Sequence, residues 1–128
     1  MSLGTGELHV LKTTGMVDTG GAVTEKLAVT FTAAPKQVDT ASVAGGFIFG
    51  IAMWTAAAGE TVTIIQSGHV ICTSGDAVTV GAEVAIDAAG KIVDAVSTDL
   101  VVGLALTATA ATDEDVLVDL YHAGYVKA

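Results

Sequence analysis

The chain has no arginine, and its five lysines face fourteen acidic residues, for a formal net charge of −9. Without a basic stripe or guanidinium forks for phosphate it lacks the electrostatic footprint of a nucleic-acid binder. Its single cysteine, Cys72, excludes an intrachain disulfide and any CxxC metal site. Only six residues are aromatic apart from histidine, which disfavours a generic β adhesion or carbohydrate-binding module, since sugar platforms need exposed rings. Residues 1–15 lack a basic start followed by an apolar run, so no secretory signal is expected. Helix signals are nearly absent, and there is one proline, Pro35.

Residues 40–59 run for twenty positions without a charge, the length of a membrane-spanning helix. Asp39 and Glu60 stand at its ends in place of Lys or Arg, glycines interrupt it at 45, 46 and 50, and much of its apolarity is alanine. A buried hairpin is expected there, not a membrane span.

What the chain does have is small residues. Alanine, glycine, valine and threonine fill 72 of its 128 positions. Such side chains occupy little volume, so the core should be thin and its layers close. At about 25 cal/mol per Å² of buried apolar area, a thin core stabilises a lone subunit modestly, and oligomerisation would add to it. At this length one domain is expected.

The organising stretch is residues 46–68, GFIFGIAMWTAAAGETVTIIQSG. Runs at 47–54 and 61–66 flank a small-residue turn, 55–60, with Gly59 where a hairpin needs a left-handed residue. In the second run Val62 and Ile64 alternate with threonine, as in a strand covered on one face. A similar phrase returns at 102–120, VGLALTATAATDEDVLVDL, about 53 positions on. Two copies suggest one sheet built twice, not a solenoid.

The remaining elements follow the turn signals. Residues 1–23 carry many glycines around a possible short strand, 7–12, and read as a flexible N-terminal arm whose order depends on a partner. Residues 27–32 alternate as a strand, 33–37 turn, and 38–44 fit an edge strand. Residues 69–73 continue the central strand, 83–86 and 91–93 form a second hairpin around the Asp87–Gly90 turn, and 121–128 read as a frayed strand end. The whole is mainly β: an arm at 1–23, then a small single-domain barrel or sandwich of short hairpins at 24–128.

Four groups of residues invite a chemical reading. Asp18-Thr19-Gly20 matches the loop by which a retroviral-type homodimeric aspartic protease pairs two carboxylates over a water. No apolar strand precedes it, Gly21 follows where that family has Ala or Ser, and a plain turn is the simpler reading. His69 and Cys72 stand three apart on a strand, on opposite faces, which is wrong for a thiol dyad. Asp113-Glu114-Asp115 has calcium-loop spacing in part but lacks the remaining ligands. The glycines at 4–6 and 45–46 lack the endings of phosphate loops. No catalytic residue, cofactor or metal is expected.

Three phrases, FGIAMWTAAAGETVTIIQSGHV at 49–70, GAEVAIDAAGKIV at 81–93 and VGLALTATAATDEDVLVDL at 102–120, resemble those of the tailed-phage capsid cement, or head decoration, proteins, in order and with similar gaps. A looser likeness extends to the lambda head decoration protein over 50–68. The resemblance implies a β-tulip-like fold and a non-enzymatic virion protein, made in the host cytoplasm and carried on the outer surface of the capsid. It implies a homotrimer that clamps neighbouring major capsid subunits of the expanded head, with neither nucleic acid nor membrane as partner. On the residues themselves, Leu8 and Val10 of the arm are the candidates for adding to a capsid sheet edge. Phe47, Phe49 and Trp54, the largest apolar groups of the hairpin, are the candidates for contacts between copies, with ordinary core as the simpler alternative.

Overall fold

The computed structural model describes residues 11–17 (backbone alone), 21–34, 36–121 and 124–128. Among these there is no helix, and nine strands form one hydrogen-bonded sheet. They are β1 (Leu11–Val17), β2 (Ala28–Phe31), β3 (Gln37–Thr40), β4 (Gly50–Ala52), β5 (Thr61–Thr73), β6 (Glu83–Ile86), β7 (Ile92–Asp94), β8 (Gly103–Ala105) and β9 (Asp115–Leu120). Their order across the sheet is β1-β3-β2-β4-β5-β9-β8-β6-β7, and β1 pairs β5 as well. That last pairing curls half of the sheet into a closed ring of five strands.

Strand β5 dictates this arrangement. Its thirteen residues hold no proline, and its first four alternate buried with solvent-facing positions. Its first half pairs antiparallel with β1, from Met16↔Thr61 to Leu11↔Ser67, and with β4 through Ile51↔Ile65 and Ala52↔Ile64. Its second half pairs with β9, from Gly68↔Leu120 to Thr73↔Asp115. The switch falls at Gly68, whose φ of 96° is open to glycine and strained for other residues. One strand therefore closes a first unit and begins a second.

The two units repeat each other. β2–β3 and β2–β4 in the first match β6–β7 and β6–β8 in the second, about 54 positions on. The β8–β9 register, Ala105↔Val118, is that of Ala52↔Ile64 in β4–β5. Even the one parallel strand pair, Val17↔Val38 of β1 and β3, has its counterpart in the parallel bridge Ser74↔Ile92. The left-handed turn residues match too: Lys26, Lys36, Gly45 and Gly59 (φ 68°, 59°, 66° and 84°) stand where Gly81, Gly90, Thr98 and Asp113 do (81°, 78°, 75° and 63°).

Packing follows from small side chains. The first ring is filled by Val23, Val29, Val38, Ala52, Ala56, Val62 and Ile64. The second unit's matching residues, among them Val78, Val84, Ile92, Ala105, Val116 and Val118, merge with Ala28, Ala41, Ile48 and Ile51 from the outside of the first. The two units thus share a core in which the largest fully buried side chains are isoleucine and leucine. Between them Ala28 N donates to Gly90 O at 2.8 Å, Gly45 N to Ile86 O at 2.8 Å and Leu100 N to Gly45 O at 3.0 Å. Gly90 is required there as well as in its turn, because a Cβ would lie 3.0 Å from Ala28 O and 3.2 Å from Ala41 O. Ser74, the one fully buried polar side chain among the described residues, pins the junction: its hydroxyl donates to Ala111 O at 2.7 Å and accepts from Glu114 N at 3.1 Å.

Three local expectations change. Residues 37–40 are not an edge strand, because β1 pairs with β3 on the side away from β2. Residues 11–17, within the segment read as an arm, are a sheet strand, whereas residues 1–10 and 18–20 lie outside the described residues. The 124–128 tail is not a frayed strand end. Val126 bridges Leu100, Val101 N donates to Tyr125 O at 3.1 Å, and Lys127 N donates to Asp99 O at 2.8 Å.

The repeat gives a paired test. A Cβ on Gly50 would lie 2.4 Å from Ile65 O, and one on the matching Gly103 2.4 Å from Asp119 O; both are rigid strand backbone. Gly50→Ala and Gly103→Ala should each cost about 1–3 kcal/mol by urea denaturation. Gly59→Ala meets no atom within 4 Å and carries only the strain of its φ of 84°, so it should cost less than either.

Candidate functional site

None of the chemical candidates gathers into a site among the described residues. Asp18-Thr19-Gly20, His9, His122, Leu8 and Val10 lie outside them. Cys72 is fully buried in the shared core, and burial pushes its thiol up to about 12, far from a reactive thiolate. His69 faces solvent on the other side of the strand. The acidic turn disperses its carboxylates: Asp113 takes Lys91 Nζ at 2.6 Å, Asp115 takes Lys26 Nζ at 3.2 Å, and Glu114 Oε1 accepts from Ala110 N at 2.7 Å. No group of three His, Cys, Asp or Glu among the described residues could hold a metal ion. No helix among them is long and apolar enough to cross a membrane.

What the surface offers is apolar area. Phe47 is 58% exposed and Trp54 45%, so neither is core. Phe49 is half-buried against the first ring's interior. The sequence pattern gave no sign of Phe31, 54% exposed at the end of β2, whose ring centroid lies 4.2 Å from that of Phe49 and 6.5 Å from that of Phe47. The chain's three phenylalanines thus cluster on the first unit, Phe31 and Phe47 exposed and Phe49 half-buried. Trp54 stands apart in the β4–β5 loop, its indole N–H donating to Thr61 O at 3.4 Å. Next to it Met53 helps line a shallow groove with Lys26, Ile65, His69 and Ile71, along the join of the two units. A second recess, lined by Phe47, Ile48, Leu100, Val101 and Gly124, runs from the phenylalanine face toward the tail.

The tail closes the far end of the second unit. Glu83 accepts from the Tyr125 hydroxyl and from Lys127 Nζ at 3.0 Å. Thr98 N donates to Lys127 O at 2.9 Å, as the matching Gly45 N donates to Ile86 O within the chain. The tail therefore occupies on the second unit the place that the second unit occupies on the first, as a terminal cap does in a repeat protein. Both hydrogen bonds favour the Glu83 carboxylate, that from Tyr125 most, and hold its pKa below the ordinary range. The same bond raises the Tyr125 phenol to about 12.

Residues 22–120 match the family of phage cement proteins. The chain belongs to that family, whose members are structural proteins of the phage capsid. Among curated protein sequences none matches. Among solved structures, the crystal structure of the head fiber gp8.5 N base of bacteriophage phi29 superposes with a TM-score of 0.72, covering 93% of this chain and 98% of that one at 13% identity. At that identity the likeness is one of fold.

The tail contact makes a pH prediction of determinate sign. A depressed carboxylate stabilises the fold above its unfolded pKa, about 4.3, and the contribution is lost as pH falls through the folded value. A raised phenol stabilises below its unfolded pKa, about 10, and that contribution is lost as pH rises through the folded value near 12. The urea midpoint should therefore exceed that of Glu83→Gln by most between about pH 5 and pH 9, and the gap should close at both extremes. In the same variant an ultraviolet titration should show the Tyr125 phenol ionising nearer the ordinary range.

Proposed function

We propose that the protein cements the outside of a phage head, as a homotrimer bridging neighbouring major capsid subunits after the shell expands. The family match over residues 22–120 is the observation that carries this reading. The chain's chemistry supports it in three ways. A net charge of −9 without arginine suits the exterior of a DNA-filled shell better than its interior. A core of small residues suits a part that works by fitting closely against its neighbours. A thin core gains from area buried against other copies.

In this reading the contacts divide between the arm and the aromatic residues around β4. Leu8 and Val10, just ahead of β1, add as an extended segment to an exposed sheet edge of a capsid subunit, where main-chain hydrogen bonds give the affinity. Phe47, Phe49 and Trp54 are the contacts between copies. Each arm binds weakly alone, and three arms on one trimer bind together, because every later contact forms at the effective concentration set by the first. No step of this requires a catalytic residue or a cofactor. The protease reading has only its tripeptide in support, and the adhesion module has few rings to offer.

Because Leu11–Val17 is a sheet strand, a truncation that tests the arm must stop at residue 10. The protein lacking residues 2–10 should keep its denaturation midpoint and its oligomeric mass, and should fail to decorate expanded heads in electron micrographs. Full-length protein should coat expanded heads and leave unexpanded ones bare. Full decoration by the truncated protein contradicts the arm's role, and absence of any binding to heads by the full-length protein contradicts the cement reading.

A further inference from the structure

The internal repeat supplies a control for what the fold itself requires on its outer face. On β5 and β9, Val70, Cys72, Val116 and Val118 belong to the shared core. By strand alternation Ile71 and Leu117, which face each other in register, point outward. Leu106 lies beside them, its N–H donating to Leu117 O at 2.8 Å. The first unit has the same row in the same register: Thr14 faces Thr63, and Met53 N donates to Thr63 O at 2.9 Å. The backbone positions that hold Ile71 and Leu117 in the second unit thus hold threonine in the first. The fold accepts a polar residue at both, yet the second unit carries aliphatic ones and leaves Ile71 49% exposed.

A strand edge is open at the same place. Leu117 gives its N–H to Thr107 Oγ1 at 3.0 Å and its carbonyl to Leu106, both away from β5. Ile71 and Leu117 are therefore a pair without main-chain hydrogen bonds between them. The N–H and C=O of Ile71 point instead to the other edge of β5, the side that β4 takes in the first half. Farther along that edge Thr73 N donates to Lys26 O at 3.1 Å. Between β4 and that bond no described residue pairs with Ile71. The gap is the groove at the join of the two units, lined by Met53, Ile65 and Ile71. Its rim is charged. Thr73↔Asp115 and His69↔Asp119 flank the Ile71↔Leu117 pair, Lys26 is tied to Asp115, and Glu25 lines the same groove.

We infer that this edge of β5 takes an extended segment of a capsid subunit, which adds as a strand beside Ile71 and lays apolar side chains over Ile71 and Leu117, with basic residues at its ends. The inference rests on the cement reading and names a capsid contact on the body, separate from the arm. Main-chain groups left open at a strand edge select a strand as occupant. Aliphatic residues where the repeat shows threonine to suffice select an apolar one. Asp115, Asp119 and Glu25 outnumber Lys26 at the rim, so electrostatic complementarity selects a basic one. A second copy, itself at −9, would bring more acid to that rim.

The test is a binding titration of the full-length protein on expanded heads, by cosedimentation, with deuterium uptake of residues 69–73 measured on and off the heads. Four proteins are compared: the unaltered protein, Ile71→Thr with Leu117→Thr, Asp119→Lys and, as a control, Val96→Thr, 63% exposed in the β7–β8 connection. The double variant takes the residue of the matching positions, and an unchanged β circular-dichroism spectrum checks its fold. Asp119→Lys alters a rim charge alone and keeps the test open if the double variant misfolds. Uptake at 69–73 should fall on the heads. The dissociation constant should rise about a hundredfold in the double variant and about tenfold in Asp119→Lys, and should not change in Val96→Thr. Failure of the unaltered protein to bind heads overturns the cement reading and this inference with it. Equal affinity in all four proteins overturns this inference alone. So does a lower sedimentation mass of the double variant free in solution, which would give the face to a second copy. Faster exchange at 69–73 in the free protein lacking residues 2–10 would give the edge to the chain's own arm, and overturns it too.

Discussion

Strand β5 is the constraint on which the rest depends. A β-strand has hydrogen-bonding groups along both edges, and in the interior of a protein each must be paired. Over thirteen residues β5 spends its pairing capacity on β1 and β4 in its first half and on β9 in its second. Both units pair along it, so a closed five-stranded ring and the strands that follow it, each with little apolar volume, share one strand. Gly68 marks the change of partner, and Ser74 ties the strand's exit to the β8–β9 loop.

Small side chains follow from that arrangement. The β4–β5 and β8–β9 pairs bring backbone within reach of Gly50 and Gly103, and the β6–β7 turn lays Gly90 on the first unit. Close layers leave no room for rings, so the chain's few aromatics lie at the surface or the rim. This gives the exposed Phe31 and Phe47 a physical meaning: they are outside because the core cannot hold them. At the other end the tail, clipped by Glu83, lies against the second unit.

The sequence made the β class legible through alternation at residues 27–32 and 61–66, through turn residues such as Asp87 and Gly90, and through the absence of helix signals. The phrases at 49–70, 81–93 and 102–120 pointed to the right family. The extent of the duplication was not legible, because what repeats is backbone conformation. Left-handed positions filled by lysine in one unit are filled by glycine in the other, as with Lys26 and Gly81 or Lys36 and Gly90, so the residues disagree where the φ angles agree. The pairing of β1 depends on contacts some fifty residues away, which no local pattern records. Phe31 read as an ordinary strand residue, and only the fold brought it to Phe47 and Phe49. Glu83, Tyr125 and Lys127 carried no motif, being joined by a tail that local pattern read as frayed.

Native-state hydrogen exchange along β5 tests the shared strand most directly. If both units hang on it, the amides of residues 61–67 and of residues 68–73 exchange through a single opening, with equal free energy and equal dependence on denaturant. Two separate openings, one half of the strand exchanging while the other stays protected, would mean that the units fold independently and that β5 does not bind them into one body.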